Sequence, residues 1–215
     1  MNRAARRIVI ENGVVFTGDA VLSGGPVVIE DGRLAAVGSA SARPGDAAGT
    51  TGAPPDRGET PSVDAPPKPA DVTRLDAGGR LVTPGLVNAH THIYSALARG
   101  IALKDAPPRK FDEILGRLWW RLDRALTLEE IALSAKLHGW ECLRAGVTAI
   151  FDHHSSQTAI RGSLATIATA LEELGLRAVL AFEVSDRDGP EAVRQGIAEN
   201  VAFMQEMRDS AMRRG

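Results

Sequence analysis

The stretch TPGLVNAHTHIYSALARG, residues 83–100, decides how this chain is interpreted. It places two histidines, His90 and His92, one residue apart in a run that otherwise has the composition of a buried strand. Alternate residues of a strand point to the same face, so both imidazoles are expected on one face, with Asn88 beside them. Two imidazoles placed in this way can bind one divalent metal ion. The simpler alternative is two satisfied polar groups at the end of a strand, and a metal would need further ligands.

Composition and charge narrow the possible function classes. The 215 residues are 44% hydrophobic and 24% charged, as in ordinary globular proteins. A net charge of −2 gives no electrostatic argument for binding nucleic acid or an anionic membrane. Cys142 is the only cysteine, which excludes an intrachain disulfide and favours a reducing cytoplasm. The N-terminal apolar run is too short for a signal peptide, and no run approaches the roughly 18 apolar residues of a membrane span.

Short antiparallel strands are predicted for residues 1 to about 38. Asn12-Gly13 and Asp31-Gly32 are typical of hairpin turns, because both central residues of such a turn need positive φ. Residues 39–71 contain seven of the 12 prolines, and Val63 is their only apolar residue larger than alanine or proline. Such a segment buries too little surface to offset its ordering entropy, so a flexible surface insertion is expected.

From Val72 onward, strands and helices alternate. Thr127 and Glu130 form a capping-box pattern at the start of one helix, and Gly146 is suited to the position after its end. Ser163 is predicted to cap a second helix, and Pro190 is suited to the first turn of a third. A buried strand is predicted at 147–153 and a further strand at 177–185. This order indicates an α/β fold with parallel strands, in which the strands' carboxyl ends carry the chemistry.

Longer motifs add a family resemblance. VTPGLVNAHTH resembles the first barrel strand of the amidohydrolase superfamily, where a Pro-Gly-x-x-(Asn/Asp)-x-His-x-His motif supplies two metal ligands. VIEDGRLAAVG and LDAGGRLVTPG are similar to that family's N-terminal strands. LARGIALKDAPP, ILGRLWWRLDRALTLEE and AGVTAIFDHHSS narrow the resemblance to the ATZ/TRZ-type aminohydrolases, and among them to those called SsnA. The resemblance covers most of the chain outside 39–71, where the family is expected to have a short connection.

The resemblance implies a metal-dependent (β/α)8 TIM barrel with a small β-sandwich built from both termini. It implies one Zn²⁺ or Fe²⁺ ion held by His90, His92, two later histidines and a late aspartate. Metal-activated water would then deaminate a small nitrogen heterocycle, and the complete protein could be a homo-oligomer. A chlorohydrolase or a cyclic-amide hydrolase is the alternative among enzymes.

The chain is short for this fold. A (β/α)8 barrel takes about 250 residues, whereas residues 81–215 suffice for three β/α units of an incomplete barrel. Residues 1–80 would form the N-terminal portion of the β-sandwich. The later ligands and the acid/base residue of the family are absent from this sequence. We therefore expect an N-terminal fragment of an aminohydrolase that is inactive alone. A non-catalytic remnant or partner-binding module is the alternative of a different class.

Four further residues are candidates for substrate binding. Trp119 could stack on a planar heterocycle, although it and Trp120 cannot share one helix face. His153 and His154 end a strand and should point to opposite faces, so one could reach the substrate while the other is structural. Arg99 could bind a substrate carboxylate or carbonyl, although a solvated loop arginine is the simpler interpretation. His138 is predicted to be a surface or packing residue of a helix.

Overall fold

The computed structural model describes residues 7–23, 25–38 and 72–214. The chain divides into two compact units, Met1–Pro84 and Gly85–Gly215, with mixed α and β structure. The segment 39–71, predicted to be a flexible insertion, lies outside the described residues. Among the helices described, none combines the length and the apolar character needed to cross a membrane.

The first unit consists of short strands in two sheets. The strands are β1 (Arg7–Glu11), β2 (Val14–Phe16), β3 (Val21–Ser23), β4 (Val27–Glu30), β5 (Arg33–Val37), β6 (Val72–Asp76) and β7 (Leu81–Val82). One sheet has the order β5-β4-β1-β6 and the other the order β3-β2-β7. Each sheet pairs a strand from the start of the chain with one that follows residue 71. These pairs, β1 with β6 and β2 with β7, are parallel.

The two predicted hairpin turns of this unit have different outcomes. Asp31 and Gly32 both have positive φ, and Glu30 pairs with Arg33 across them, which confirms a two-residue hairpin between β4 and β5. The hairpin predicted at Asn12-Gly13 is wrong. Asn12 does have positive φ, but β1 and β2 belong to different sheets. The chain crosses between the sheets there because a turn dipeptide fixes only the local backbone, not the partner of each strand.

The second unit is built on a parallel sheet of three strands. These are β8 (Leu86–Thr91), β9 (Val147–His154) and β10 (Arg177–Phe182), in the order β10-β9-β8, and both pairings are parallel. The parallel arrangement predicted from the alternation of strands and helices is therefore present. The connections carry α1 (Phe111–Ile114), a π-helical turn (Leu115–Trp119), α2 (Trp120–Asp123), α3 (Leu128–Arg144), α4 (Ser163–Glu173) and α5 (Pro190–Arg214).

Local signals fix the ends of two of the long helices. Thr127 and Glu130 form the predicted capping box, in which each side chain accepts the other residue's backbone N–H. The same helix ends at Arg144, and Gly146 follows with φ of 78°, as its sequence predicts. Helix α5 begins at Pro190, again as predicted.

The start of α4 differs from its prediction. Ser163 is predicted to be the cap, but the capping position belongs to Gly162, and the buried Ser163 hydroxyl has no hydrogen-bond partner within the described part of the chain. The carboxylate of Glu199, a buried residue of α5, accepts from the amides of Gly162 (2.8 Å) and Leu164 (3.0 Å) instead. Glu199, which is 35 residues from Leu164 in sequence, therefore caps α4 in place of Ser163.

The core of the second unit lies on one side of the parallel sheet. In β9 the side chains of Ile150, Asp152 and His154 are buried, while Phe151 and His153 between them are exposed. Residues of β8, β10 and the helices join this core. Its largest fully buried aliphatic members are Ile93, Ile131, Ile150, Leu164, Ile167 and Leu171. The predicted buried strand at 147–153 is thus covered on one face only.

Candidate metal centre

The two histidines of the opening stretch converge at the carboxyl end of β8. The Nε2 atoms of His90 and His92 lie 3.1 Å apart, and both side chains are exposed on the face opposite the helices. Two nitrogens bound at about 2.0–2.1 Å to a tetrahedral Zn²⁺ ion would lie roughly 3.3 Å apart. The spacing of the pair therefore fits two ligands of one ion.

A backbone contact prepares His92 for this role. Its Nδ1 lies 2.9 Å from the carbonyl oxygen of His153, which can only accept, so Nδ1 carries the proton. The lone pair of His92 is then on Nε2, the atom that faces His90. Metal-binding histidines are commonly held in this way by a hydrogen bond from the second ring nitrogen. The pair therefore fits a divalent ion in spacing, and His92 fits it in tautomer as well.

An irregularity in β8 sets which of its side chains lie on the same face as the histidine pair. Asn88 pairs with Ile150 and Thr91 with Asp152, so β8 contains one residue more than β9 over this interval. Such a bulge changes the alternation of side chains. Asn88, expected beside the histidines, instead has the same orientation as Thr91, toward α3, where burial raises the pKa of the Cys142 thiol and the Asn88 side chain lowers it. That expectation is wrong because the simple period of two assumes an unbroken ladder.

Gly85 has a steric role just before the strand. A Cβ atom at this position would lie 2.2 Å from both Cγ2 and Oγ1 of Thr148, far inside van der Waals contact. The amide of the next residue, Leu86, donates to the carbonyl of Gly146 at 2.9 Å. The glycine of the Pro-Gly pair therefore allows β8 to approach β9 closely.

Two side chains from outside the strand hold the residues next to the pair. His138 on α3 makes a hydrogen bond of 3.0 Å from Nε2 to Oγ1 of Thr91. Asp152 on β9 accepts from the amide of Ile93 at 2.7 Å through Oδ1, just where a 3-10 helix (Ile93–Ala98) begins. Burial raises the pKa of Asp152 to about 7, against the opposing effects of this hydrogen bond and of His92. His138, predicted to be a surface or packing residue, is half-buried on α3 and packs against β8 through this contact.

His153 and His154 point to opposite faces, as predicted. His153 is exposed on the side of the metal pair, with its ring centroid 5.7 Å from that of His92. His154 is fully buried, and its Nε2 lies 2.9 Å from the hydroxyl oxygen of Ser156. Burial lowers the pKa of His154 to about 3, so its ring is neutral. Its position in the core leaves no accessible edge for a ligand, so His154 is not retained as a substrate contact.

The remaining candidates lie farther from the pair. Trp119 ends the π-helical turn, packs partly buried against the core, and meets the ring of Tyr94 edge to face at 6.4 Å. Tyr94 also meets His92 at 6.2 Å, and burial raises its pKa to about 12, so its hydroxyl stays protonated. Sequence reasoning assigns Tyr94 no role. Arg99 is exposed, and its charge helps to lower the pKa of His138, after the larger effect of burial.

An ion-pair network joins the loops at the same end of the sheet. Arg187, after β10, donates to the buried carboxylate of Asp123 at the end of α2 and to the Ser155 hydroxyl (3.1 Å) after β9. Its Nε also donates to Glu183 at 3.2 Å. Removing one partner of such a buried pair leaves an uncompensated charge and costs roughly 3–5 kcal/mol. This network therefore holds together the loops at the end of the sheet where the histidines lie.

Within the described ranges, no group of three or more histidine, cysteine, aspartate or glutamate side chains is arranged to hold a metal ion. The pair of His90 and His92 is thus an incomplete ligand set by the usual count of protein ligands.

Comparison with known proteins identifies the family. The model of the Amidohydrolase family matches residues 81–213. A 5-methylthioadenosine/S-adenosylhomocysteine deaminase of Haloarcula marismortui is 36% identical over 147 residues, which cover 68% of this chain and 32% of that protein. An 8-oxoguanine deaminase of Pseudomonas aeruginosa is 27% identical, over 86% of this chain and 36% of that protein. The chain spans about a third of the length of the curated relatives it matches.

Solved structures agree in fold. A structure of a variant of atrazine chlorohydrolase TrzN from Arthrobacter aurescens TC1, complexed with zinc and atraton, superposes with a TM-score of 0.57. The match covers 81% of this chain and 35% of that protein, at 23% sequence identity. At this identity the similarity concerns the fold alone.

Proposed function

Because this chain belongs to the amidohydrolase family, we propose that it carries part of the metal site of a hydrolase that deaminates a nitrogen heterocycle, with His90 and His92 as metal ligands. The observation that carries this proposal is the pair itself. Its two Nε2 atoms lie 3.1 Å apart at the carboxyl end of a parallel strand, and the second nitrogen of His92 is occupied by the His153 carbonyl.

The proposed architecture extends the one described above. The strands β8, β9 and β10 would be the first three of a (β/α)8 barrel, and residues 1–80 would contribute to a small β-sandwich. Parallel pairing and the placement of helices on one face support the barrel. In such a barrel the exposed face of the sheet would be the interior, and the ends of the strands would surround the substrate.

The chemistry divides between the ion and the chain's own residues. A divalent ion, Zn²⁺ or Fe²⁺, lowers the pKa of water and makes hydroxide available as a nucleophile near neutral pH. His92 contributes a lone pair that the His153 carbonyl directs by fixing the tautomer. We infer that the exposed ring of His153, whose centroid lies 5.7 Å from that of His92, would contact the substrate, and Trp119 and Arg99 are further candidates for this role.

Relatives support deamination of a purine-type ring over the alternatives. Proteins that match this chain at 36% identity are named as deaminases of adenosine derivatives, and one at 27% as an 8-oxoguanine deaminase. The chlorohydrolase that shares the fold has 23% identity and adds no argument about substrate. We therefore place the substrate among amino-substituted purines and their nucleosides.

Two protein ligands do not make a hydrolytic zinc site, which ordinarily has three and an open position. We propose that the further ligands and the acid/base residue are supplied from outside residues 1–215. The 215-residue chain would then bind Zn²⁺ weakly and release no ammonia from purine nucleosides.

Metal binding tests the proposal on the chain as it exists. In equilibrium dialysis against Zn²⁺, we expect His90→Ala and His92→Ala to abolish the site that the unaltered chain shows. His153→Ala is the matched control, because its carbonyl remains and only the ring is lost. Equal Zn²⁺ binding by all four proteins would contradict the assignment of the ligands.

The reaction is tested by ammonia release from 5′-methylthioadenosine, adenosine and guanine. Where the coding sequence continues past Gly215, the longer product should deaminate at least one of them and lose this activity on His92→Ala. Chloride release from chlorotriazines without ammonia release would move the assignment to a chlorohydrolase. Robust turnover by the 215-residue chain alone would contradict the argument from missing ligands.

A further inference from the structure

We propose that His138 is a positioning residue for the metal-binding pair, which it acts on through Thr91. From helix α3, behind the sheet, it fixes the part of β8 on which His90 and His92 lie. The inference rests on the proposed metal function but concerns a residue that no part of that proposal assigns.

The contact connects the helix to the residue between the two ligands. Thr91 is 7% exposed and points away from the pair, toward α3, where its hydroxyl oxygen lies 3.0 Å from His138 Nε2. The histidines that flank Thr91 point the other way, with their Nε2 atoms facing each other. A rotation of the backbone at Thr91 would therefore turn both imidazoles at once.

The bulge makes this side-chain contact necessary. Between Asn88 and Thr91, β8 has an extra residue, and a bulge leaves part of the strand without its ladder hydrogen bonds. The amide of His90 instead makes a long contact of 3.4 Å with the side chain of Asn88. The ladder therefore does not set the orientation of His90 by itself.

Successive residues beyond His90 are each held from outside β8. Thr91 is held by His138, the ring of His92 by the His153 carbonyl, and the amide of Ile93 by Asp152. Of these three contacts, the first is the one adjacent to His90. It also comes from a helix, whereas the other two come from the neighbouring strand.

Helix α3 faces the bulge with more than one polar residue. Cys142 lies one helical turn beyond His138, and the pKa of its thiol, raised by burial, is lowered by the Asn88 side chain, so α3 has a polar residue near each end of the bulged interval. His138 is about half buried, and burial lowers its pKa, which keeps the ring neutral. A neutral imidazole can serve as donor or acceptor to the Thr91 hydroxyl.

The plainer alternative is that His138 only satisfies a buried hydroxyl and contributes to stability. The two roles differ in what they predict for the metal pair. A purely structural contact would change the midpoint of unfolding and leave the orientation of His90 and His92 unaltered. A positioning contact would change the tautomer of His92 and the strength of metal binding at conditions where the protein is fully folded.

Imidazole NMR on the ¹⁵N-histidine-labelled chain separates the two roles. Without metal, the unaltered chain should show His92 as the Nδ1–H tautomer and an NOE between the His90 and His92 rings. In His138→Ala and in Thr91→Val, this NOE should weaken and His92 should become a tautomer mixture. His138→Gln, whose amide can still bond Thr91, should restore both signals. Lys136→Ala, an exposed change on α3, is the control.

A Zn²⁺ titration monitored by the same signals gives the second readout. Loss of an outer contact of a metal site typically weakens binding by 10–100-fold, and we expect about tenfold for His138→Ala and for Thr91→Val. Combining the two changes should add little to either, because they remove one interaction.

The outcomes distinguish this inference from the proposed function. If no Zn²⁺-dependent shift occurs in the unaltered chain, the metal proposal fails, while the metal-free NOE and tautomer still decide whether His138 positions the pair. If Zn²⁺ binds and both variants keep the ring NOE and the affinity, the positioning role is wrong and His138 is structural. A lower unfolding midpoint alone would lead to the same conclusion.

Discussion

At the scale of single residues, burial gives two side chains of β9 unusual protonation states. Asp152 has a pKa raised to about 7 by burial, and His154 has a pKa lowered to about 3 by burial. Both point into the helix-covered side of the sheet, and among the described residues Asp152 Oδ2 and His154 Nδ1 find no hydrogen-bond partner. These two residues therefore link the stability of the second unit to pH in opposite senses.

The direction of each pH effect depends on whether the folded or the unfolded chain binds the additional proton. For Asp152, the folded protein holds a proton between pH 3.8 and about 7 that the unfolded chain has released, so stability falls as pH rises through this window. For His154, the unfolded chain binds a proton between pH 6.5 and about 3 that the folded protein does not, so stability falls as pH falls. Within its window, each group changes the free energy of unfolding by roughly 1.4 kcal/mol per pH unit.

We predict that single substitutions will reveal these opposed slopes. Asp152→Asn should give a free energy of unfolding that increases from pH 4 to pH 6.5, because the effect of His154 is no longer opposed. His154→Phe should give the reverse trend. Urea unfolding followed by tryptophan fluorescence measures this, since all three tryptophans lie in the second unit. His153→Gln, on the exposed face, is the control, and identical pH profiles for all four proteins would contradict the prediction.

At the scale of elements, the structure shows which features the sequence could predict. Contacts between near neighbours are predicted correctly, as at the Thr127–Glu130 capping box and the Asp31-Gly32 turn. Features that depend on a distant partner are not. The sheet switch after Asn12 depends on which strands β1 and β2 find, and the bulge near His90 depends on the register of β9.

The candidate site follows the same rule. The spacing of His90 and His92 is sufficient to place both rings on one face, because it depends on adjacent backbone alone. The contact of His138 with Thr91 joins residues 47 positions apart. The only local sign that His138 faces the sheet is its spacing of four residues from Cys142, which places both on one side of the helix.

The cap of α4 gives a prediction at this scale. Glu199→Ala should lower the free energy of unfolding by at least about 2 kcal/mol, because it removes two charge-assisted hydrogen bonds and leaves buried amides unsatisfied. Glu199→Gln keeps one acceptor and should lose about half as much. Urea unfolding provides the measurement, and Glu206→Ala, exposed on the same helix, should stay within about 0.5 kcal/mol. Equal stability of the Ala variant and the unaltered chain would show that Ser163 or water caps α4.

At the scale of the whole molecule, one face of the parallel sheet is covered by helices and the other is exposed. The strand 147–153 is predicted to be buried because its apolar run is typical of parallel strands covered on both faces. The structure instead exposes Phe151 (44%) and its cross-strand partner Val179 (55%). A net charge of −2 provides little repulsion between molecules.

This exposed apolar face should make the chain self-associate, and a single charge on it should reduce the effect. We expect the apparent mass in sedimentation to rise with concentration for the unaltered chain, together with binding of an apolar dye such as ANS. Val179→Lys should shift the mass toward 22.7 kDa and weaken dye binding, with little change in stability because the side chain is already exposed. Leu133→Lys, at an equally exposed site on α3, tests whether the face matters. A monomer at all concentrations, or an equal effect of both lysines, would show that the open sheet face does not drive association.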